Sequence, residues 1–161
     1  MNWHPNKDEA LECLQQAYDL QMKGKVDEAI KLYRKSIDLY PTAEAHTFLG
    51  WSYSFQGKHD DAIDECKKAI EIDPDFGNPY NDIGSYLIDK GYYDAAIPWL
   101  EKAIQAKRYE SYCYPHYNLG RIYEHKGDWF RALEAYQNAL TCNPEYALAA
   151  RAAGRVKGFL N

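Results

Sequence analysis

Apolar and small residues recur along this chain at three- and four-residue intervals, in short blocks that glycines separate. Between Ala45 and Pro74 two such blocks lie back to back, one carrying Leu49, Gly50 and Tyr53, the other Ala62, Cys66, Ala69 and Ile70. That spacing puts each set on one face of a helix. Gly57 interrupts the run between them, so the stretch predicts two helices joined by a turn.

The same pattern returns around Gly24, Gly91 and Gly127, at spacings of 33, 34 and 36 residues when Gly57 is included. Five residues after each glycine stands an alanine (Ala29, Ala62, Ala96, Ala132), and seven before it a small residue (Ala17, Gly50, Gly84, Gly120). Small residues at matched points let two antiparallel helices approach closely. A large or soft apolar group follows in each copy (Tyr33, Cys66, Leu100, Tyr136), then Ile37, Ile70, Ile104 and Leu140, which are suited to filling the seam between hairpins. Pro41, Pro74 and Pro144 stand where the second helix must stop, and the third copy has Arg108 there instead.

With these residues in register the chain resembles the tetratricopeptide-repeat family, arrays of helix-turn-helix units of roughly 34 residues each. The resemblance covers residues 10–146. It implies an all-α fold, a right-handed α-solenoid or superhelix of four hairpins with a concave groove and a C-terminal solvating helix. The repeats are expected at 10–42, 43–76, 77–112 and 113–146, after a polar lead-in over 1–9 and before a capping helix over 147–161. It implies a binding activity rather than a chemical one, since such arrays usually hold segments of other proteins.

Local features refine this layout. The first helix is expected from about Lys7 to Met22 and the second from Val26 to Leu39. Pro79 and Pro115 fall in the first turn of a helix, where a missing N–H costs nothing, while Pro98 lies early in a second helix and should bend it at most mildly. Between the third and fourth copies two extra residues must be accommodated in AKRYESYCYP. Either the preceding helix continues past Arg108, the favoured reading, or the connection bulges and presents Tyr109 and Tyr112 as a specificity loop. On the last helix Ala150, Ala153 and Gly154 are expected to face the array, with Arg151, Arg155 and Lys157 elsewhere.

At 46% apolar and 27% charged, the 161 residues read as an ordinary soluble array. A formal net charge of −5 disfavours nucleic acid and anionic membrane as partners. No apolar run is long enough to span a bilayer, and MNWHPNKDEA lacks the layout of a signal peptide, so a cytoplasmic location is the default. Cys13, Cys66, Cys113 and Cys142 show no Cys-x-x-Cys or zinc-type spacing and read as reduced, buried thiols, with no metal or cofactor implied.

In arrays of this family the groove is lined by first-helix residues facing away from the hairpin's own second helix. Carried onto this sequence, the wall comprises Leu11, Leu14, Tyr18 and Gln21, then Glu44, Thr47, Trp51 and Ser54. It continues with Asn78, Asn81, Ser85 and Ile88, then Tyr114, Tyr117, Arg121 and Glu124, and finally Arg151 and Arg155. Tyrosine and tryptophan give rigid surface with polar tips, and asparagine can both donate to and accept from a peptide main chain. The arginines predict a basic C-terminal end, suited to a segment with an apolar half and an acidic half. Some members of the family clamp the free carboxylate of chaperone tails with lysine, arginine and asparagine; here Leu14, Tyr18, Phe48, Asn78 and Asp82 occupy those places, so that mode is not expected.

Enzymatic readings find little support. No nucleophile elbow, phosphate loop or His-Glu-x-x-His motif occurs. His46 and His116 share a register that packs against a neighbouring helix, and Asp60-Asp61 and Asp64-Glu65 read as solvated acids near a helix start. Two functions remain: a non-enzymatic scaffold binding a peptide or partner segment as an adaptor, or a structural module acting through homo-oligomerisation by its groove or ends.

Overall fold

The computed structural model describes residues 5–161, so residues 1–4 of the expected lead-in, His4 among them, lie outside the described residues. Residues 5–9 are helical rather than loose, because Pro5 occupies the start of the first helix, where its fixed φ is already helical. Among the described residues nine helices follow in order: α1 Pro5–Met22, α2 Val26–Leu39, α3 Ala43–Phe55, α4 His59–Ile72, α5 Asn78–Asp89, α6 Tyr93–Gln105, α7 Cys113–His125, α8 Trp129–Cys142 and α9 Ala147–Leu160. This is an all-α helical-repeat fold. The helices form two compact units, Met1–Pro74 and Asp75–Asn161.

The turn within each hairpin has one construction. Gly57 adopts φ 73°, as Gly24, Gly91 and Gly127 do at their turns. The Gly57 N–H donates to the Ser54 carbonyl and the Lys58 N–H to the Tyr53 carbonyl, both at 3.0 Å, so the last carbonyls of α3 are satisfied before α4 begins. A side chain at that φ would be strained, which explains why glycine anchors the repeat.

In the first unit α1 packs on α2 and α3 on α4, with Ala17, Ala29, Tyr33, Ala62, Cys66 and Ala69 fully buried. A polar strand of contacts runs through this core. Tyr33 donates to Gln21 Oε1 at 2.7 Å and Ser52 donates to the same oxygen at 3.0 Å, which ties α1, α2 and α3 together. Gln21 is thus a buried coupling residue, not part of an open wall. Glu65, expected on a solvated face, is also inside. Its carboxylate meets His46 Nδ1 of α3 at 2.6 Å and accepts from Lys68 at 2.7 Å, so both of its oxygens have partners where it is buried.

The second unit repeats the hairpin twice and adds α9. Gly120 passes under the Tyr136 ring so closely that a methyl group there would overlap the ring carbons, which is the close approach expected of that register. Pro98 lies inside α6, and the helix runs on to Gln105. The buried stripe of α9 is Ala149, Ala152, Ala153 and Val156, whereas Ala150 and Gly154 are exposed. Ala153 faces inward as expected, but the rest of the stripe lies one position away from Ala150 and Gly154, since alanine-rich sequence carries little periodic contrast.

The connection over 106–112 follows neither expected form. The helix stops at Gln105, and the Arg108 N–H donates to the Asp75 carbonyl at 2.9 Å while the Gly77 N–H donates to the Arg108 carbonyl at 3.0 Å, making a parallel bridge between Phe76 and Arg108. Tyr109 is buried rather than presented, and Tyr112 donates to the Ala106 carbonyl at 2.7 Å. Backbone pairing with residues 75–77 replaces the proline stop.

Candidate functional site

In the first unit the candidate positions divide sharply by accessibility. Tyr18 on α1 is exposed and its ring lies 5.5 Å from that of Phe48 on α3, so the two aromatics bridge neighbouring first helices. Leu14, four residues before Tyr18, is half-buried, and Leu11 is exposed. Trp51 is half-buried against Phe55, ring centroids 5.3 Å apart. Ser54 turns its hydroxyl back to the Trp51 carbonyl at 2.7 Å. Thr47 is 2% exposed, and its hydroxyl donates to the Ala43 carbonyl at 2.7 Å. With its hydroxyl bonded back to its own helix and its side chain buried, Thr47 offers no surface to a ligand.

In the second unit the candidate residues of α5 and α7 form one connected polar line. Asn118 Nδ2 donates to Asn81 Oδ1 at 3.0 Å, and Asn81 Nδ2 donates to Asp82 Oδ1 at 3.4 Å. Arg121 Nη1 donates to Asn118 Oδ1 at 3.1 Å and Nη2 reaches Asp89 at 3.5 Å. Each amide uses its oxygen toward the arginine side and its nitrogen toward the acid side, so the line has one direction. Asn81 and Asn118 are buried, which makes them organisers of this wall more than free hydrogen-bonding groups. Burial pushes the Asp82 carboxyl up to about 7, with the Asn81 bond opposing the shift. Asn78 and Ser85 are half-buried on the same helix.

The aromatic part of this wall lies on α7. Tyr114 is 47% exposed and meets Tyr146 edge-on at 5.6 Å. Tyr117 sits lower, between Tyr136 at 5.6 Å and Tyr146 at 5.1 Å, and so is shared between surface and core. Beside it is a hollow of about 370 Å³, lined by Tyr93, Tyr117, Arg121, Glu124, His125 and Arg155 among others.

Charge in this hollow is more balanced than the sequence suggests. Arg155 holds the Glu124 carboxylate with two bonds, Nε to Oε1 at 2.6 Å and Nη2 to Oε2 at 2.9 Å, and Tyr136 donates to the same carboxylate at 2.6 Å. Arg155 holds the Glu124 carboxyl below its usual range, against burial and with help from Tyr136. Arg155 is therefore committed to α7, one repeat away, and Arg121 is partly committed to Asp89. Arg151 is exposed and forms no ion pair among the described residues. Sequence reasoning missed Asn118 and the Glu124 pairing; the signal available was that both lie within a turn of the repeat's small residue Gly120.

No group of histidine, cysteine and acidic residues suited to a metal occurs among the described residues. No helix among them is long and apolar enough to cross a membrane.

Four family models, each described as tetratricopeptide repeat, match residues 9–43, 43–76, 78–109 and 113–146. Small glutamine-rich tetratricopeptide repeat-containing protein 2 of Mycosarcoma maydis is 36% identical over 78 residues, which is 48% of this chain and 22% of that protein. BBSome complex member BBS4 of Bos taurus is 26% identical over 81% of this chain and 25% of its own length. The chain thus spans about a quarter or less of these curated relatives. Among solved structures, that of MamA is 28% identical with a TM-score of 0.72, covering 89% of this chain and 83% of that one. The first such repeat domain of Spaghetti (RPAP3), bound to the HSP90 peptide SRMEEVD, has a TM-score of 0.67 at 21% identity over 73% of this chain and 92% of that one, a likeness of fold alone.

Proposed function

This chain belongs to the tetratricopeptide-repeat family, and on that premise we propose that it is a non-enzymatic binding module whose first-helix faces hold a segment of another protein. Proteins of this family generally mediate protein–protein interaction. The finer reading is that of an adaptor in a larger assembly, gripping a peptide of which one part is apolar and another acidic. The carrying observation is the wall of α5, α7 and α9. There an ordered line from Asp82 to Arg121 lies beside exposed Tyr114 and unpaired Arg151. A tyrosine loses little freedom on docking, and a guanidinium free of internal partners can meet a carboxylate in two-point contact. Arg151 and, in the hollow, Arg121 are the groups that would take the acidic part, and Tyr114 would take an apolar side chain.

The test is capture on an array of synthetic extended peptides that vary in apolar and acidic content, with wild type beside Tyr114→Ala and Arg151→Glu. Both residues are exposed, so each variant should keep wild-type helicity and thermal midpoint. Binding that favours half-acidic peptides and falls at least about tenfold in either variant, a loss of about 1.4 kcal/mol, supports the reading. Unchanged binding in both overturns it.

Self-association is a second reading, favoured by one observation at the end of the second unit. Phe130 is 77% exposed, next to Trp129 stacked on exposed Phe159 at 4.6 Å. Light-scattering mass across a dilution series decides it: a dimer that Phe130→Ser dissociates would make this end an interface, and a monomer at every concentration removes the reading.

A further inference from the structure

The last hairpin carries two cysteines at its open end. Cys113 is the first residue of α7 and Cys142 the last of α8, and because the two helices run antiparallel, that start and that end lie side by side. In the other three copies the corresponding pairs are Ala10 with Leu39, Ala43 with Ile72 and Gly77 with Ala106. Only in this copy do both facing positions become cysteine. Ala139, three residues before Cys142 and so on nearly the same face of α8, is buried in one cluster with Cys113 and Ala149. Burial first, and then the neighbouring Cys142 side chain, push the Cys113 thiol up, so the two groups act on each other across the end of the hairpin. All four cysteines are free; Cys113 is buried and Cys142 is exposed.

We propose that Cys113 and Cys142 form a hydroperoxide-driven disulfide site that reversibly clasps the open end of the α7–α8 hairpin. The exposed Cys142 sulfur, as thiolate, attacks the outer peroxide oxygen, and the O–O bond breaks. Cys142 becomes a sulfenic acid and the departing alkoxide takes a proton to leave as alcohol. The Cys113 thiol then gives up its proton and its sulfur attacks the Cys142 sulfur; the S–O bond breaks and the oxygen leaves as water. Two thiols are oxidised by two electrons in all, and one hydroperoxide is reduced to alcohol and water. Exposure assigns the first step to Cys142, and burial, which pushes the Cys113 thiol up, keeps that residue protonated until a sulfenic acid stands next to it.

The clasp acts on the candidate binding wall through its neighbours. Cys113 precedes the exposed Tyr114, and its buried cluster includes Tyr117 and Tyr146 at its edge. Crosslinking would suppress fraying of the first turn of α7, which carries Tyr114 and leads into Tyr117. The proposal stands independently of what the wall binds.

The full chain is treated with hydrogen peroxide, then alkylated after denaturation and mapped by mass spectrometry, with Cys142→Ser and Cys113→Ala treated in parallel. In wild type the expected result is a loss of about 2 Da, the two thiol hydrogens. Cys113 and Cys142 are then protected from alkylation, Cys13 and Cys66 still alkylate, and dithiothreitol reverses the change. The oxidised protein should also melt several degrees higher. Cys142→Ser, altered at an exposed position, should retain wild-type helicity and show no mass loss. The proposal is overturned if Cys142 gains oxygen atoms while Cys113 still alkylates, if the product is a disulfide-linked dimer, or if wild type does not change.

Discussion

Gly77 lies directly against the side chain of Tyr109: a methyl group on Gly77 would overlap both the Cβ and the ring carbons of Tyr109. Gly77 has an ordinary helical φ of −78°, so the requirement is for space rather than for an unusual backbone. The contact is clamped by the Arg108 bridge on one side and covered by Tyr112, whose ring meets Tyr109 edge-on at 5.4 Å.

Gly77→Ala should therefore destabilise the second unit by about 1–3 kcal/mol through overpacking. Tyr109→Ala, which empties a buried aromatic site, should cost about 3–5 kcal/mol. Urea unfolding measures both. A Gly77→Ala midpoint equal to wild type would show that the strap can move aside.

His46 and Glu65 set the acid limit of the first unit. Burial pushes the Glu65 carboxyl up, but the bonds from His46 and Lys68 outweigh it and hold the group below its usual value of 4.5. A carboxyl depressed in the fold contributes stability above its unfolded value, and that stability is lost as pH falls through the folded one. Thermal midpoints of wild type should therefore drop as pH is lowered below about 4.5, and His46→Ala, which leaves the buried carboxylate with Lys68 as its remaining partner, should cost about 1–3 kcal/mol near neutrality. A His46→Ala protein as stable as wild type at neutral pH would contradict this.

Asp82 has the opposite sign. Its folded value of about 7 lies above the unfolded 3.8, so its contribution is complete below about 4 and declines as pH rises toward 7. Asp82→Asn removes the cost of ionising a buried acid and should stabilise the protein at pH 8 by on the order of 2 kcal/mol. Carbon-detected NMR of the Asp82 carboxyl supplies the direct check: a midpoint near 4 would place the group in water.

Arg155 ties α9 to α7 through Glu124, yet its own side chain is 54% exposed. Solvent screens such a pair, so Arg155→Ala should cost only about 1 kcal/mol. The loss should be local, seen as faster amide exchange over residues 147–160 with little change elsewhere. Uniform acceleration across the chain would mean that α9 does not open as a separate element.

The repeat itself was legible in the sequence. A turn that needs φ near 75° admits little but glycine, and a close helix crossing admits only small residues, so Gly57 and its equivalents together with Ala17, Gly50, Gly84 and Gly120 fix element type and hairpin register through local constraints. Tertiary structure decided what those constraints leave open. Thr47 and Gln21 share a register with open first-helix positions, yet both are buried: the Thr47 hydroxyl bonds back to the Ala43 carbonyl and Gln21 Oε1 accepts from Tyr33 and Ser52, while Gln21 Nε2 is left without a partner among the described residues. Glu65 entered the core because His46 was there to meet it, and Arg155 turned from a free cation into a strut because Glu124 stood opposite. The 106–112 connection became a strap through backbone pairing with residues 75–77, which no side-chain pattern records. Apart from the local Thr47 bond, these side-chain partners stand 12 to 31 positions away in the chain, and a helical period repeats too quickly to carry that information.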